Sequence, residues 1–110
     1  MIVVRVQPGV CGFEAEICAT TDEAFNVRLQ VTSACPQIQR LAQALPQVAA
    51  FDLLRHPIQE TSVYQAAGAA RVHAACPIPA AIIKAIEVAA GLALPRDVHM
   101  VIVREEDPNM

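Results

Sequence analysis

Alternating apolar and polar positions in the first third of the chain predict three β-strands. Every second residue from position 25 to position 31 is apolar and the intervening residues are polar, as a half-buried strand requires. Residues 13–20 alternate in the same way, and residues 2–6 form the remaining strand. Glycine and proline at positions 8–12 mark the turn between the first two strands. We therefore expect an antiparallel β-meander.

Longer hydrophobic periods in the middle of the chain predict helices that cover this sheet. Pro36 stands at the first position of a helix whose apolar residues recur every three or four positions. Residues 48–54 predict a second, short helix. Ser62 is the expected N-cap of a third helix, which ends near residues 71–73.

The final helix and the segment after it complete the predicted fold. Pro77 and Pro79 lie at the start of this helix, a wide apolar stripe follows, and Gly91 suits a left-handed residue after its C-terminus. Residues 98–102 alternate again, which predicts a closing strand. We therefore expect a single domain over residues 1–110 with an α+β fold. In this two-layer sandwich, an antiparallel β-meander plus a C-terminal fourth strand carries three or four helices on one face.

Composition narrows the class of protein and of partner. Of the 110 residues, 55% are hydrophobic and 17% are charged, which excludes disorder and favours a full core with a further apolar surface. We therefore expect a homodimer or another protein partner. A net charge of −3, with one Tyr, three Phe and no Trp, leaves neither a basic nor a stacking surface, which excludes nucleic acid. No stretch predicts an export signal or a membrane span of ~18 apolar residues, so we expect a cytoplasmic protein with no membrane association.

The four cysteines are the candidate chemistry. In a reducing compartment their role is metal binding, catalysis or burial rather than disulfide formation. The strand directions place Cys11, in the first turn, and Cys35, after the third strand, at the same end of the sheet. An up-and-down path of the helices then returns His73 and Cys76 to that end. Cys18 lies about 23 Å along a strand from Cys11, at roughly 3.3 Å per residue, and is predicted to lie outside the cluster.

Two of these cysteines stand immediately before a predicted helix. The Cys-Pro pairs that begin at Cys35 and Cys76 place each thiol near free backbone N–H groups and the positive end of the helix dipole. Both features stabilise a thiolate or a metal-bound sulfur. The leading interpretation is a metal site with Cys11, Cys35 and Cys76 as ligands and His73 or an outside group as the fourth. This set suits an iron–sulfur cluster or zinc.

The segment around the last cysteine resembles a known family. The run Cys-Pro-Ile-Pro that begins at Cys76, followed by an apolar helix and a predicted strand, resembles the motif of the TusA-like sulfur carriers. That resemblance implies that Cys76 accepts and passes on sulfur, and it extends to this residue alone. Cys35 or Cys11 would then be available as a resolving thiol. The three cysteine motifs together also resemble small prokaryotic proteins of uncharacterised function, which implies no activity.

A third interpretation needs no site. Cysteines are among the most buried residues and pack as small hydrophobes, so the protein can be a structural or interaction module. Lys84 and Glu87, one turn apart on the last helix, are more typical of a solvated stripe than of a site. The sequence carries no recognisable Ser/His/Asp order, phosphate loop or paired inward carboxylates, which disfavours a stand-alone hydrolase or nucleotide enzyme.

Overall fold

A computed structural model describes residues 1–107 of the chain. Its centre is a four-stranded antiparallel sheet in which the strands follow each other in chain order. The meander predicted for the first three strands is confirmed. The strands are β1 (Ile2–Val6), β2 (Ala15–Thr21), β3 (Asn26–Ser33) and β4 (Gln47–Ala49).

Alternation along the two central strands turns one face of the sheet toward the core. Ala15, Ile17 and Ala19 of β2 are buried, and the residues between them are exposed or half-buried. Val27 and Leu29 of β3 are buried in the same way. This period of two is the one that the sequence pattern predicted for a half-buried strand.

Helices supply the other side of the core. Among the described residues there are four α-helices and one short 3₁₀-helix, Ile58–Glu60. The α-helices are α1 (Pro36–Ala44), α2 (Asp52–Arg55), α3 (Ser62–Ala69) and α4 (Ile78–Ala89). The fold is therefore α+β, as predicted.

The two longest helices pack directly on the sheet. α4 contacts β1 and β2, and α1 contacts β3. Ile82 and Ile86 of α4, Ile38 and Leu41 of α1, and Ile17 of β2 are all almost completely buried in one hydrophobic cluster. Burying side chains of this size contributes roughly 1.5–3 kcal/mol each. Within residues 1–107 no helix is long and apolar enough to cross a membrane.

The predicted C-terminal fourth strand is wrong. Residues 98–102 belong to no strand in the described part of the chain, and the fourth strand is β4, which places Val48 opposite Val27. The chain turns back along β3 directly after α1, and Leu29 N–H donates to the Pro46 carbonyl at 3.0 Å. The apolar pattern of residues 98–102 predicts an extended segment, but it does not identify a hydrogen-bonding partner.

Further boundaries differ from the predictions, including the end of α3 at Ala69 instead of near residues 71–73. Residues 48–54 divide between β4 and α2, because a short apolar run fits a strand and a helix equally well. The N-cap of α3 is Thr61, one residue before the predicted Ser62. Thr61 Oγ1 accepts the Tyr64 N–H at 3.2 Å and donates to the Ile58 carbonyl at 2.8 Å. Of the two hydroxyl side chains, Thr61 is buried and Ser62 is exposed, and the buried hydroxyl bonds to both backbone groups.

Residues in the left-handed region close α4 and α3. Gly91, at φ 77°, donates its N–H to Val88, and Leu92 donates to Glu87, at 3.1 and 2.8 Å. This pair of hydrogen bonds is the Schellman motif, as the glycine predicted. Arg71 closes α3 with the same pair of bonds at φ 59°, although its Cβ disfavours that backbone conformation.

One carboxylate holds the turn between β2 and β3. Asp22 Oδ1 accepts the backbone N–H of Ala24 at 2.8 Å and that of Asn26 at 2.9 Å. The hydrogen bond from the Asn26 backbone is the main cause that holds the pKa of Asp22 below its ordinary value. The same turn contains Phe25 at φ 62°, whose ring meets the Phe51 ring edge-on at 5.2 Å.

We expect Arg71→Gly to raise the free energy of unfolding by about 1 kcal/mol, because glycine adopts the left-handed conformation without a Cβ clash. Gly91→Ala is the matched variant of opposite sign and should lower the same quantity by about 1 kcal/mol. Denaturant unfolding followed by circular dichroism measures both. An Arg71→Gly protein that is no more stable than its parent would contradict this account of the α3 end.

We expect Asp22→Asn to lower the free energy of unfolding at neutral pH. Folding lowers the pKa of Asp22, so its carboxylate stabilises the fold above the unfolded-state pKa of ~3.9. That contribution is lost as the pH falls through the lowered pKa, and the difference between variant and parent should shrink there. Glu23→Gln removes the same charge from the same turn and is the control for a general charge effect. A difference that does not change with pH would contradict the assignment.

Candidate functional site

Strand register brings two of the candidate cysteines to one end of the sheet. Val6 lies opposite Ala15, and Ala15 lies opposite Ser33, so these three residues form one row across β1, β2 and β3. Cys11 lies in the loop that joins the first two members of this row, and Cys35 follows the third by two residues. Antiparallel pairing therefore places both thiols beyond the same end of the sheet.

Cys11 occupies an exposed loop that two glycines shape. Gly9 and Gly12 have φ values of 98° and 73°, which glycine adopts without strain. The Gly12 N–H donates to the Gly9 carbonyl at 3.0 Å and closes a tight turn around Cys11. Its thiol consequently faces solvent at the end of the sheet.

Cys35 is the N-cap of α1 and is half-buried against the core. Its backbone N–H donates to Ser33 Oγ at 3.2 Å, and its carbonyl accepts the Gln39 N–H at 2.9 Å. Its Sγ donates to Gln37 Oε1 at 3.3 Å. The sulfur therefore lies at the start of α1.

A series of contacts after α3 positions Cys76. The Arg40 guanidinium of α1 donates to the Ala70 carbonyl at 3.1 Å, which joins the end of α3 to α1. Arg71 then turns the chain, and the Cys76 N–H donates to the His73 carbonyl at 3.0 Å. Cys76 is half-buried, packs against the core and lies directly before the N-cap residue of α4.

Electrostatic interactions connect Cys76 to the other two thiols. Burial is the main cause that raises the pKa of Cys76, and the backbone N–H of Ile78 partly offsets it. Negative charge on Cys11 and on Cys35 raises this pKa further. The structure therefore brings Cys11 and Cys35 within electrostatic range of Cys76.

Of the other two candidates, His73 lies near Cys76 and Cys18 lies away from the end of the sheet that carries the three cysteines. His73 belongs to the same turn as Cys76, but its side chain is exposed and its backbone carbonyl makes the turn hydrogen bond. Cys18 lies in the middle of β2, where its Sγ donates to Glu16 Oε1 at 3.9 Å, away from the end that carries the other cysteines. Within residues 1–107 no three His, Cys, Asp or Glu side chains are already arranged to hold a metal ion.

Two open clefts lie on the surface, and no cysteine lines either of them. One, of about 390 Å³, lies at the same end of the sheet as Cys11 and Cys35, beside the row of residues that joins β1, β2 and β3. The other, of about 400 Å³, gathers His56, Tyr64, Lys84 and Glu87 between the 3₁₀-helix, α3 and α4. Lys84 and Glu87 were predicted to form a solvated stripe, and nothing in the sequence indicated that His56 and Tyr64 lie beside them. The one-turn spacing of Lys84 and Glu87 was the only signal of this group in the sequence.

Comparison with known proteins identifies the family. The chain matches the family model described as "Family of unknown function (DUF6951)" over residues 2–102. Because this match spans most of the chain, the protein belongs to DUF6951. No curated protein and no solved structure matches the chain. The matched residues include Cys11, Cys35 and Cys76, and the family description gives none of them a role.

We expect replacement of both Cys11 and Cys35 by serine to lower the pKa of the Cys76 thiol, because this removes two negative charges that raise it. Burial of Cys76 remains, so its pKa should stay above that of a free cysteine. The pH dependence of the alkylation rate at Cys76, followed by peptide mass spectrometry in the parent and in the variant, measures the shift.

Cys18→Ser alone is the control and should not move the pKa of Cys76, since Cys18 is not among the groups that shift it. An unchanged Cys76 pKa in the variant that lacks Cys11 and Cys35 would show that these thiols do not act on it.

Proposed function

We propose that this protein binds zinc or an iron–sulfur cluster through the thiolates of Cys11, Cys35 and Cys76. His73 or a group from outside the chain would be the fourth ligand. The observation that carries the proposal is that strand register places Cys11 and Cys35 beyond one end of the sheet, close enough to Cys76 for their charges to raise its pKa. Three thiolates with one open position suit a tetrahedral zinc ion or the iron atoms of a cluster.

Mutual repulsion among the thiols supports a cation as the ligand. Burial and the charges of Cys11 and Cys35 raise the pKa of Cys76, so without a cation Cys76 retains its proton more readily. A metal ion reverses this preference, because a coordinating thiol is deprotonated outright. An arrangement that is unfavourable for free thiolates is therefore favourable for metal ligands.

Coordination requires the three sulfur atoms to move closer together, and the loop between β1 and β2 is the part best suited to move. Cys11 is exposed and flanked by Gly9 and Gly12, so its loop has backbone freedom that the other two cysteines lack. Cys35 and Cys76 lie at the starts of α1 and α4, where a metal-bound sulfur would be close to free backbone N–H groups. A metal bound by these residues would close the loop over one end of the sheet.

We propose that the protein is located in a reducing cytoplasm, where all four cysteines remain free, as they are in the structure. We also propose that the helices and the sheet form the two layers of a sandwich. The metal would then lie at one end of these layers and not on the exposed face of the sheet. We also expect a homodimer, because the apolar composition provides further apolar surface for a second copy.

Sulfur transfer through Cys76 is the second candidate function. The observation that favours it is the backbone N–H of Ile78, which lowers the pKa of Cys76 from the start of α4. A donor persulfide would pass its outer sulfur to the Cys76 thiolate, which forms a Cys76 persulfide and releases the donor as a thiolate. Burial raises the pKa overall and reduces the thiolate fraction at neutral pH, so this candidate stands second.

We expect protein purified without oxygen to contain close to one zinc ion or one iron–sulfur cluster per chain. Cys11→Ser, Cys35→Ser and Cys76→Ser should each weaken metal binding by more than the roughly 10–100-fold that loss of an outer partner causes. Elemental analysis and the visible absorption spectrum measure occupancy. Cys18→Ser is the matched control and should retain full occupancy, and His73→Ala tests the fourth ligand.

Two results would count against the metal site. The first is full retention of metal when any one of the three cysteines is replaced. The second is metal-free protein with four freely titratable thiols after reconstitution with zinc and with iron and sulfide. In the second case, mass spectrometry after exposure to a persulfide donor should show one added sulfur on Cys76 if the sulfur-transfer function holds.

A further inference from the structure

The segment that follows α4 contains an apolar run that the body of the protein does not cover. We call residues 97–104 the C-terminal arm. Five of the six residues from 98 to 103 are apolar, and the side chains of Val101 and Ile102 are 84% and 94% exposed. Such a run is typical of a strand that is covered on both faces. Left exposed, it favours aggregation, so it requires a partner.

The arm extends away from the packed body. Residues 95–107 belong to no helix or strand among the described residues, and the buried cluster runs from Ala15 to Ala90 without any arm residue. The molecule measures 57 × 29 × 25 Å. Its radius of gyration is 15.2 Å, compared with about 13 Å for a compact chain of this size. The body is therefore complete without the arm.

β1 offers an edge that fits an additional strand. It is the first strand of the sheet order, so no described strand pairs with its outer side. Ile2, Val4 and Val6 pack against the core but remain partly exposed, whereas the inward residues of β2 are buried. Arg5 is the only charged residue of β1, and it pairs with Glu16 at 3.3 Å. This edge lacks the prolines and repeated charges that usually prevent strand addition.

The half-buried side of α4 continues this apolar edge. Ile83 lines the cleft next to α3, and helical geometry places Ala81 and Val88 on the opposite side of α4. Because α4 packs on β1 and β2, this opposite side flanks the free edge of the sheet. A strand added beside β1 would bury apolar side chains against Ala81 and Val88 while its backbone pairs with β1.

A second copy of the chain is the partner that these features fit. Each copy carries both the free edge and the arm, so two copies can exchange arms reciprocally and close with twofold symmetry. The arm of eight residues reaches about 26 Å when extended, which exceeds the ~17 Å of a five-residue β1 at roughly 3.3 Å per residue. The family match over residues 2–102 includes β1 and most of the arm, so both belong to one family unit.

We infer that the C-terminal arm adds as a strand to the free β1 edge of a second copy, forming an arm-exchanged homodimer. The exchange satisfies the backbone groups of both segments and removes the apolar run from water. It involves none of the cysteines.

Sedimentation equilibrium of the full chain tests the exchange, with the expected mass twice the 11.8 kDa of one chain. Ile102→Asp should weaken dimerisation by about 100-fold or more, because each dimer would then bury two new charges. A chain that ends at Arg96 should be monomeric. Both variants should keep the helical circular dichroism signal of the parent, since the arm lies outside the core and contains no helix. Glu105→Lys, beyond the apolar run, is the control and should remain dimeric.

Three outcomes would overturn the inference. One is a full chain that stays monomeric at high micromolar concentration. Another is a dimer that persists unchanged when the arm is removed. The third is a monomer in which hydrogen exchange shows that the arm protects β1 amides, which would assign the arm to the sheet of its own chain.

Discussion

The register of the antiparallel sheet is the constraint on which the rest of the structure depends. The row that joins Val6, Ala15 and Ser33 places two chain reversals at one end of the sheet, and Cys11 and Cys35 lie in those reversals. A slip of one residue would turn the buried side chains of β2 and β3 to solvent, so burial itself holds this register. The position of Cys76 follows from the same core, because α4 packs across β1 and β2.

The predictions succeeded where a segment's own pattern determines its structure. The alternation of β2 and β3, the proline start of α4 and the glycine at its end are local signals, and each of them is confirmed. Predictions failed where a segment depends on its partner. The apolar residues 98–102 predicted a strand, but β4 pairs with β3 and the arm remains outside the sheet.

In the candidate site, too, local features could be predicted from the sequence and long-range contacts could not. The Cys-Pro pairs predicted that Cys35 and Cys76 precede helices, and the structure places them there. The approach of Cys11 and Cys35 to Cys76 depends on the path between α3 and α4, including the Arg40 contact with Ala70 and the left-handed Arg71. No single residue in the sequence predicts that the three cysteines approach each other. The geometry of the sulfur atoms consequently lies beyond what spacing can predict.

The thiols and the arm lie at opposite ends of α4. This helix of 12 residues is about 18 Å long, with Cys76 before its start and the arm after its end. The proposed exchange pairs the arm with the β1 edge and involves none of the cysteines. We therefore expect variants of the proposed metal site and variants of the proposed dimer interface to act independently of each other.

The central claim is that Cys11, Cys35 and Cys76 act as one group of thiols, and titration with arsenite tests it most directly. Trivalent arsenic forms three bonds to sulfur, so one arsenic bound per chain should protect these three cysteines from alkylation while Cys18 remains reactive. Mass spectrometry of the alkylated peptides identifies the protected residues. Alkylation of Cys11, Cys35 and Cys76 at unchanged rates in the presence of arsenite would contradict the claim.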